Sequence, residues 1–189
     1  MSLSNRQFLF LPGSTRRQGN SEQLARLAAD HLPTGAEQRW LNLLDYPLPD
    51  FVDRRHGDSY PPPEGNAQVL LEATLQATDL VLAMPLYWYT MPVPTKQYLD
   101  YWSAWMRVPD LDFRARMAGK TFWAIVVSSG ERAEAQPLAD TLRLSANYMH
   151  MSWGGLLFGN GSRPGDILLD SKALMEAQTF FTANGPTAH

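Results

Sequence analysis

Residues 7–32 read QFLFLPGSTRRQGNSEQLARLAADHL. Four apolar residues in succession, Phe8 to Leu11, show no alternation, so the run has the length of a strand buried on both faces. A glycine turn follows at once. Leu24, Leu27, Ala28 and Leu32 then recur at helical spacing and lay one apolar stripe along a helix. Asn20 or Ser21 suits the N-cap of that helix, and Pro33 with Gly35 marks its end. A two-sided strand feeding an amphipathic helix is the unit from which parallel sheets are built.

The same unit recurs along the chain. Further strand-length apolar runs lie at Trp40 to Leu43, Leu80 to Met84, Phe122 to Val127 and Trp153 to Phe158, and the third and fourth of the five runs are again continuous. Leu138, Ala139, Leu142 and Ala146 form a helical stripe after the fourth. A last helix is predicted through SKALMEAQTFF, residues 171–181, with Ala173, Ala177 and Phe181 sharing a face with Leu174. Residues 47–66, PLPDFVDRRHGDSYPPPEGN, are rich in Pro, Gly and charge and read as a long loop, either a plain connector or a functional segment. Five alternating strands and helices predict an α/β doubly wound parallel sheet with helices on both faces, for which the flavodoxin-like order 2-1-3-4-5 is the common five-stranded solution. The 189 residues suffice for one core and are too few for two ordinary ones, so residues 1–189 are read as a single domain.

Composition narrows the function. A net charge of -3 supplies neither the basic field that nucleic acid requires nor the strong acidity of a carrier that docks by charge, which leaves small molecules as partners. With no cysteine, the chain has no disulfide framework, no Cys-ligated metal or iron–sulfur cluster and no thiol catalysis. This fits a reducing compartment, and the cytoplasm is the expected location. The apolar run near the N-terminus is too short for a signal or membrane-spanning segment. His31, His56, His150 and His189 are scattered without ligand spacing, so no metal site is expected.

In doubly wound sheets ligands bind at the carboxyl ends of the strands, which directs attention to the loops after the first, third and fourth. The first, GSTRRQGNS at residues 13–21, joins a buried strand to a helix start. Its small residues let backbone N–H groups converge, the hydroxyls of Ser14, Thr15 and Ser21 can donate to phosphate oxygens, and Arg16 or Arg17 can add charge. It matches neither a Walker A loop nor GxGxxG. An ordinary turn using Ser, Gly and Asn as turn and cap residues has the same composition. After the third strand, Pro85 stops the run, and Tyr87, Trp88 and Tyr89 offer rings against which a flat heteroaromatic ligand can stack, unless they serve local packing. The third loop, VSSGERAE at residues 127–134, offers donors from Ser128, Ser129 and Gly130; Ser128 with Glu131 also fits a helix-capping pair.

The three loops together resemble the NADPH-dependent FMN reductase family, which includes NAD(P)H quinone reductases and azoreductase-like proteins of flavodoxin fold. The resemblance spans essentially the whole chain and rests on GSTRRQGNS, PLYWYTMPVPTKQYLD and the SSGE loop. It implies non-covalently bound FMN as cofactor and NADPH or NADH as electron donor. It further implies that Ser14, Arg16, Asn20 and Ser21, with Thr15 and Gly19 of the same loop, hold the FMN phosphate. Pro85, Leu86, Tyr87, Trp88 and Tyr89 then line the isoalloxazine, with Ser128, Ser129, Gly130 and Glu131 at its pyrimidine side. Lys96 and Asp100 match a lysine and an aspartate of the family, whereas Tyr101 stands where an arginine is common and Glu131 where a second glycine is common.

These implications lead to an oxidoreductase that passes electrons through FMN to a quinone, free flavin or azo-type acceptor, with Tyr87, Trp88 or the long loop after the second strand shaping the acceptor pocket. Two other readings are a flavodoxin-type carrier, which the charge count disfavours, and a binding module that has lost flavin. The segment PTKQYLDYWSAWM carries two stripes: Leu99, Trp102 and Met106 to face the sheet, and Tyr98, Tyr101 and Trp105 on a neighbouring face. The second stripe is expected either to form a homodimer interface or to lie beneath the long loop.

Overall fold

The computed structural model describes residues 6–57 and 60–183. Five strands, β1 (Gln7–Pro12), β2 (Glu37–Trp40), β3 (Asp79–Pro85), β4 (Thr121–Ser128) and β5 (Ser152–Asn160), form one sheet in the order β2-β1-β3-β4-β5. Every pair is parallel. Helices α1 (Asn20–Ala29), α2 (Gly65–Gln76), α3 (Val93–Trp105), α4 (Phe113–Met117), α5 (Gln136–Tyr148), α6 (Ser171–Ala177) and α7 (Phe180–Ala183) connect them. Among the described residues, no helix is long and apolar enough to cross a membrane.

The continuous apolar runs have the cause inferred from sequence. Along β1, Leu9 and Leu11 enter the core beneath α2, α3 and α5, while Phe8 and Phe10 enter the opposite core beneath α1 and α6. In β4 the same period of two sends Phe122, Ala124 and Val126 to the first core and Trp123, Ile125 and Val127 to the second.

Strand β2 lies three residues earlier than the apolar run Trp40 to Leu43 suggests. It is an edge strand whose Glu37, Gln38 and Arg39 are exposed, so hydrophobicity does not mark it. Leu41 and Leu43 are buried where the chain leaves the sheet, their N–H groups still donating to Phe10 O (3.0 Å) and Pro12 O (2.9 Å). The single last helix expected over residues 171–181 is two helices. Gln178 N donates to Met175 O and Thr179 N to Glu176 O, i→i−3 bonds that tighten the chain between α6 and α7. Ala173, Ala177 and Phe181 are nevertheless buried together.

The two stripes of α3 do not divide as expected, although Trp102 of the first is buried as expected and Tyr101 of the second is half-buried. Tyr98, Trp102 and Trp105 are buried, with Tyr98 and Trp105 at 0% and 1% exposure, while Leu99 and Met106 are only half-buried. The Tyr98 hydroxyl, pushed up to about 12 by burial, pairs with Thr74 Oγ1 at 2.7 Å. Over Tyr101 lies the long loop: Tyr101 Oη donates to Pro49 O (3.0 Å), Phe51 packs edge-on at 5.9 Å, and Gln97 donates to Leu48 O and Pro49 O. The aromatic stripe is therefore covered within its own chain and is not the exposed dimer surface expected of Tyr98, Tyr101 and Trp105.

Candidate active site

The loop GSTRRQGNS leaves β1 at Gly13, whose N–H donates to Ala83 O of the neighbouring strand at 2.8 Å. Only glycine fits there, because a Cβ would stand 1.9 Å from Thr95 Oγ1 at the start of α3. Ser14 is buried, and its Oγ accepts from Arg16 N (3.0 Å), which curls the loop. Gln18 sits in the left-handed region at φ 51 and donates its N–H to Glu22 Oε2 at 3.1 Å. The N-cap of α1 is Gly19, not Asn20 or Ser21, and no side chain caps it. The first-turn N–H groups thus lack the side-chain acceptor that usually closes a helix start.

That uncapped end opens into a cavity of about 300 Å³. One wall is Ser14, Arg16, Gly19, Asn20 and Ser21, a second is Pro85, Leu86 and Tyr87, and a third is Ser128 and Ser129. Parallel pairing explains the convergence, since Pro85 lies in register with Val127 and Leu86 N donates to Val127 O at 3.0 Å. Thr15 stands outside the lining, with its Oγ1 3.4 Å from Tyr87 Oη. The two arginines of this loop differ in their surroundings. Arg17 pairs with Asp45 at 2.5 Å, whereas Arg16 lines the cavity and has no acidic partner among the described residues.

The fourth wall was not foreseen. Gly161 and Ser162, after β5, also line the cavity. Asn20 draws this turn in, donating to Arg163 O (2.8 Å) and accepting from Gly165 N (2.9 Å), so its amide serves as a clamp between loops. Within the turn, Arg163 N and Ser162 N donate to Asp166, which lowers its carboxyl below the usual range. The composition NGSRPGD, residues 160–166, carried the same small-residue signal as the first loop.

In the loop after β4 the expected capping pair does not form: Ser128 Oγ accepts from Gly130 N (3.1 Å), and Gly130 O accepts from Asn160 Nδ2 (2.8 Å). Gly130 and the exposed Glu131 lie outside the cavity lining, as do Trp88 and Tyr89. Lys96 and Asp100 pair with each other on α3, away from that lining. Tyr87 and Thr90 exchange two backbone bonds of 3.0 Å around Trp88 and Tyr89, whose φ angles are 50 and 62. This is a two-residue hairpin turn of the kind that favours Asn-Gly, and each aromatic held there costs roughly 1–2 kcal/mol.

An uncapped helix start, two serine hydroxyls and an unpaired guanidinium are donors suited to a phosphate monoester, and the apolar wall beside them suits a flat ring. A match to the family model for NADPH-dependent FMN reductase extends over residues 7–155. The chain belongs to the NADPH-dependent FMN reductase family. Among its relatives, YwqN of Bacillus subtilis (strain 168), described as an NAD(P)H-dependent FMN-containing oxidoreductase, is 33% identical over 168 residues, covering 87% of this chain and 91% of YwqN. A solved structure of a Trp repressor binding protein from Bacillus subtilis superposes with a TM-score of 0.74 at 29% identity, over 93% of this chain and 97% of that one. The NAD(P)H:quinone oxidoreductase from Methanothermobacter marburgensis shares the fold, with a TM-score of 0.75 at 14% identity over 97% and 98% of the two chains. As a member of this family of FMN-dependent oxidoreductases, the chain is an enzyme that uses FMN with NAD(P)H as donor.

Proposed function

We propose that this cavity is the FMN site and that the chain passes electrons from a reduced nicotinamide nucleotide to a small-molecule acceptor. The uncapped start of α1, facing Ser14, Ser21 and the unpaired Arg16, carries the reading. FMN supplies the redox chemistry when bound, taking a hydride from the nucleotide and giving up two electrons to the acceptor. The side chains bind and orient. Ser14, Ser21 and the N–H groups of residues 19–21 donate to the phosphate, Arg16 neutralises part of its charge, and Asn20 holds the turn after β5 against the loop. Pro85, Leu86 and Tyr87 give the ring an apolar wall, and Ser128 and Ser129 bring hydroxyl donors to the facing side. Tyr87 and Trp88 stand on the acceptor side. Gly130 contributes through its bond to Ser128 rather than with a free N–H.

Titration of the chain with FMN, followed by flavin fluorescence, should saturate at one FMN per chain. No saturable binding would overturn the assignment.

We also place the chain in the cytoplasm, in keeping with its lack of cysteine, and infer a twofold homodimer through a face other than the covered aromatic stripe. Between α3 and α5 lies an open cleft of about 410 Å³ lined by Leu99, Met106, Leu144 and Tyr148, the last two 62% and 57% exposed. Leu144→Glu should convert a light-scattering mass of two chains into one. A single-chain mass for the unmodified protein contradicts the dimer.

A further inference from the structure

The turn that forms the fourth wall of the cavity carries a cation on a fixed backbone. Arg163 N donates to Asp166 Oδ2 (2.7 Å), and its carbonyl accepts from both Asn20 Nδ2 (2.8 Å) and Asp166 N (3.1 Å). Two residues on, Gly165 N donates to Asn20 Oδ1 (2.9 Å), so the Asn20 amide holds the turn from both of its ends. The Arg163 guanidinium, by contrast, is exposed and makes no ion pair or hydrogen bond among the described residues. Ser162, the residue before it, and Asn20, which grips its carbonyl, both line the cavity. The start of α1 therefore lies within the span of the Arg163 side chain.

In the free chain this placement is unfavourable. The first turn of α1 is the positive end of a helix dipole, and Arg16 stands there without an acidic partner. Glu22, the acid of that turn, is already engaged by Gln18 N and Arg26. Asp166 offsets the charge only in part, since no ion pair joins it to the Arg163 guanidinium and its Oδ2 is taken by Ser162 N and Arg163 N. Two guanidinium groups at a positive helix end call for an anion with charge enough for both, and a phosphate monoester carries about −1.5 to −2 at neutral pH. Resting on the FMN reading above, we infer that Arg163 is a second arginine for the FMN phosphate, reaching from the loop after β5 while Arg16 reaches from the loop after β1. Asn20 is the positioning residue, because its amide sets the Arg163 turn against the start of α1. The pair of arginines selects a phosphorylated flavin over an unphosphorylated one.

The test measures FMN and riboflavin affinities of the full chain by flavin fluorescence for Arg163→Ala, Arg163→Lys, Asn20→Ala and the double variant Asn20→Ala/Arg163→Ala. Arg163→Ala keeps every backbone bond of the turn, so a structural role alone would leave FMN and riboflavin equally affected. It should weaken FMN about five- to thirtyfold and riboflavin by less than about twofold, and should flatten the salt dependence of FMN binding. Lysine keeps the charge without the planar fork and should restore part of the loss. With Asn20 already replaced, removing Arg163 should cost only about twofold more, because the turn is no longer held against α1. A full additional loss in that background would strike Asn20 from the positioning role. An FMN affinity within about twofold of the unmodified protein overturns the inference, as does equal weakening of both flavins. A raised KM for NADPH at unchanged FMN affinity also overturns it and assigns Arg163 to the donor nucleotide. Each of these results leaves the FMN reading standing, whereas failure of the unmodified protein to bind FMN defeats both.

Discussion

Asp79→Ala should lower the stability of the fold by about 3–5 kcal/mol, the usual consequence of removing one member of a buried ion pair. Asp79 begins β3 and is 1% exposed. Its carboxylate accepts from Arg6 Nε (3.0 Å), Trp123 Nε1 (2.9 Å) and Thr78 Oγ1 (2.7 Å), and pairs a second time with Arg6 through Nη2. Arg6 in turn donates to Phe181 O, so one carboxylate joins β3, β4 and the C-terminal helix α7 at the end of the sheet away from the cavity. Alanine leaves the Arg6 charge without its acidic partner and the Trp123 indole N–H buried without an acceptor. For a chain of this size the loss corresponds to a fall in thermal midpoint of about 6–20 °C. A loss below about 1 kcal/mol would show that the network is not the anchor described. Asp79→Asn retains an acceptor for Trp123 and should fall between the two.

Arg16→Ala should weaken FMN binding roughly ten- to a hundredfold, because a hydrogen bond to a charged group contributes about 1.5–3 kcal/mol. Riboflavin lacks the phosphate and should lose little. Arg16 is exposed, so added salt screens part of its effect and should narrow the difference between variant and unmodified chain. Arg17→Ala is the control, since Arg17 is already paired with Asp45. Equal weakening of FMN and riboflavin by Arg16→Ala would remove Arg16 from the phosphate.

The sheet was legible in the sequence wherever burial is two-sided. Phe8 to Leu11, Leu80 to Met84 and Phe122 to Val127 lie within β1, β3 and β4 because both faces of those strands need apolar side chains. Strand β2 was misplaced for the converse reason, an edge strand being free to carry Glu37, Gln38 and Arg39. The stripes of α3 were divided wrongly at Tyr98 and Trp105, which are buried, and at Leu99 and Met106, which are half-buried, because spacing shows that two apolar faces exist without showing which one a distant loop will cover. That loop reaches Tyr101 from about fifty positions upstream, through the carbonyl of Pro49.

Three walls of the cavity were legible as loops at strand ends, but the fourth depends on Asn20 and Gly165 meeting across 145 positions. Asn20 reads equally well as a cap, a phosphate ligand or a clamp until its partners are seen. The local turn at Trp88 and Tyr89 was hidden for a different reason: aromatic residues contradict the turn type they occupy, and local preference points away from it.

Mixing the FMN-loaded protein with NADPH or NADH without oxygen, and without any second protein, tests the oxidoreductase reading most directly. The account predicts that the visible absorbance of the bound flavin bleaches with at least one nucleotide and returns when an acceptor such as 1,4-naphthoquinone is added. A flavin that stays oxidised with both nucleotides, yet is reduced once a separate reductase is supplied, would contradict it and make the chain an electron carrier.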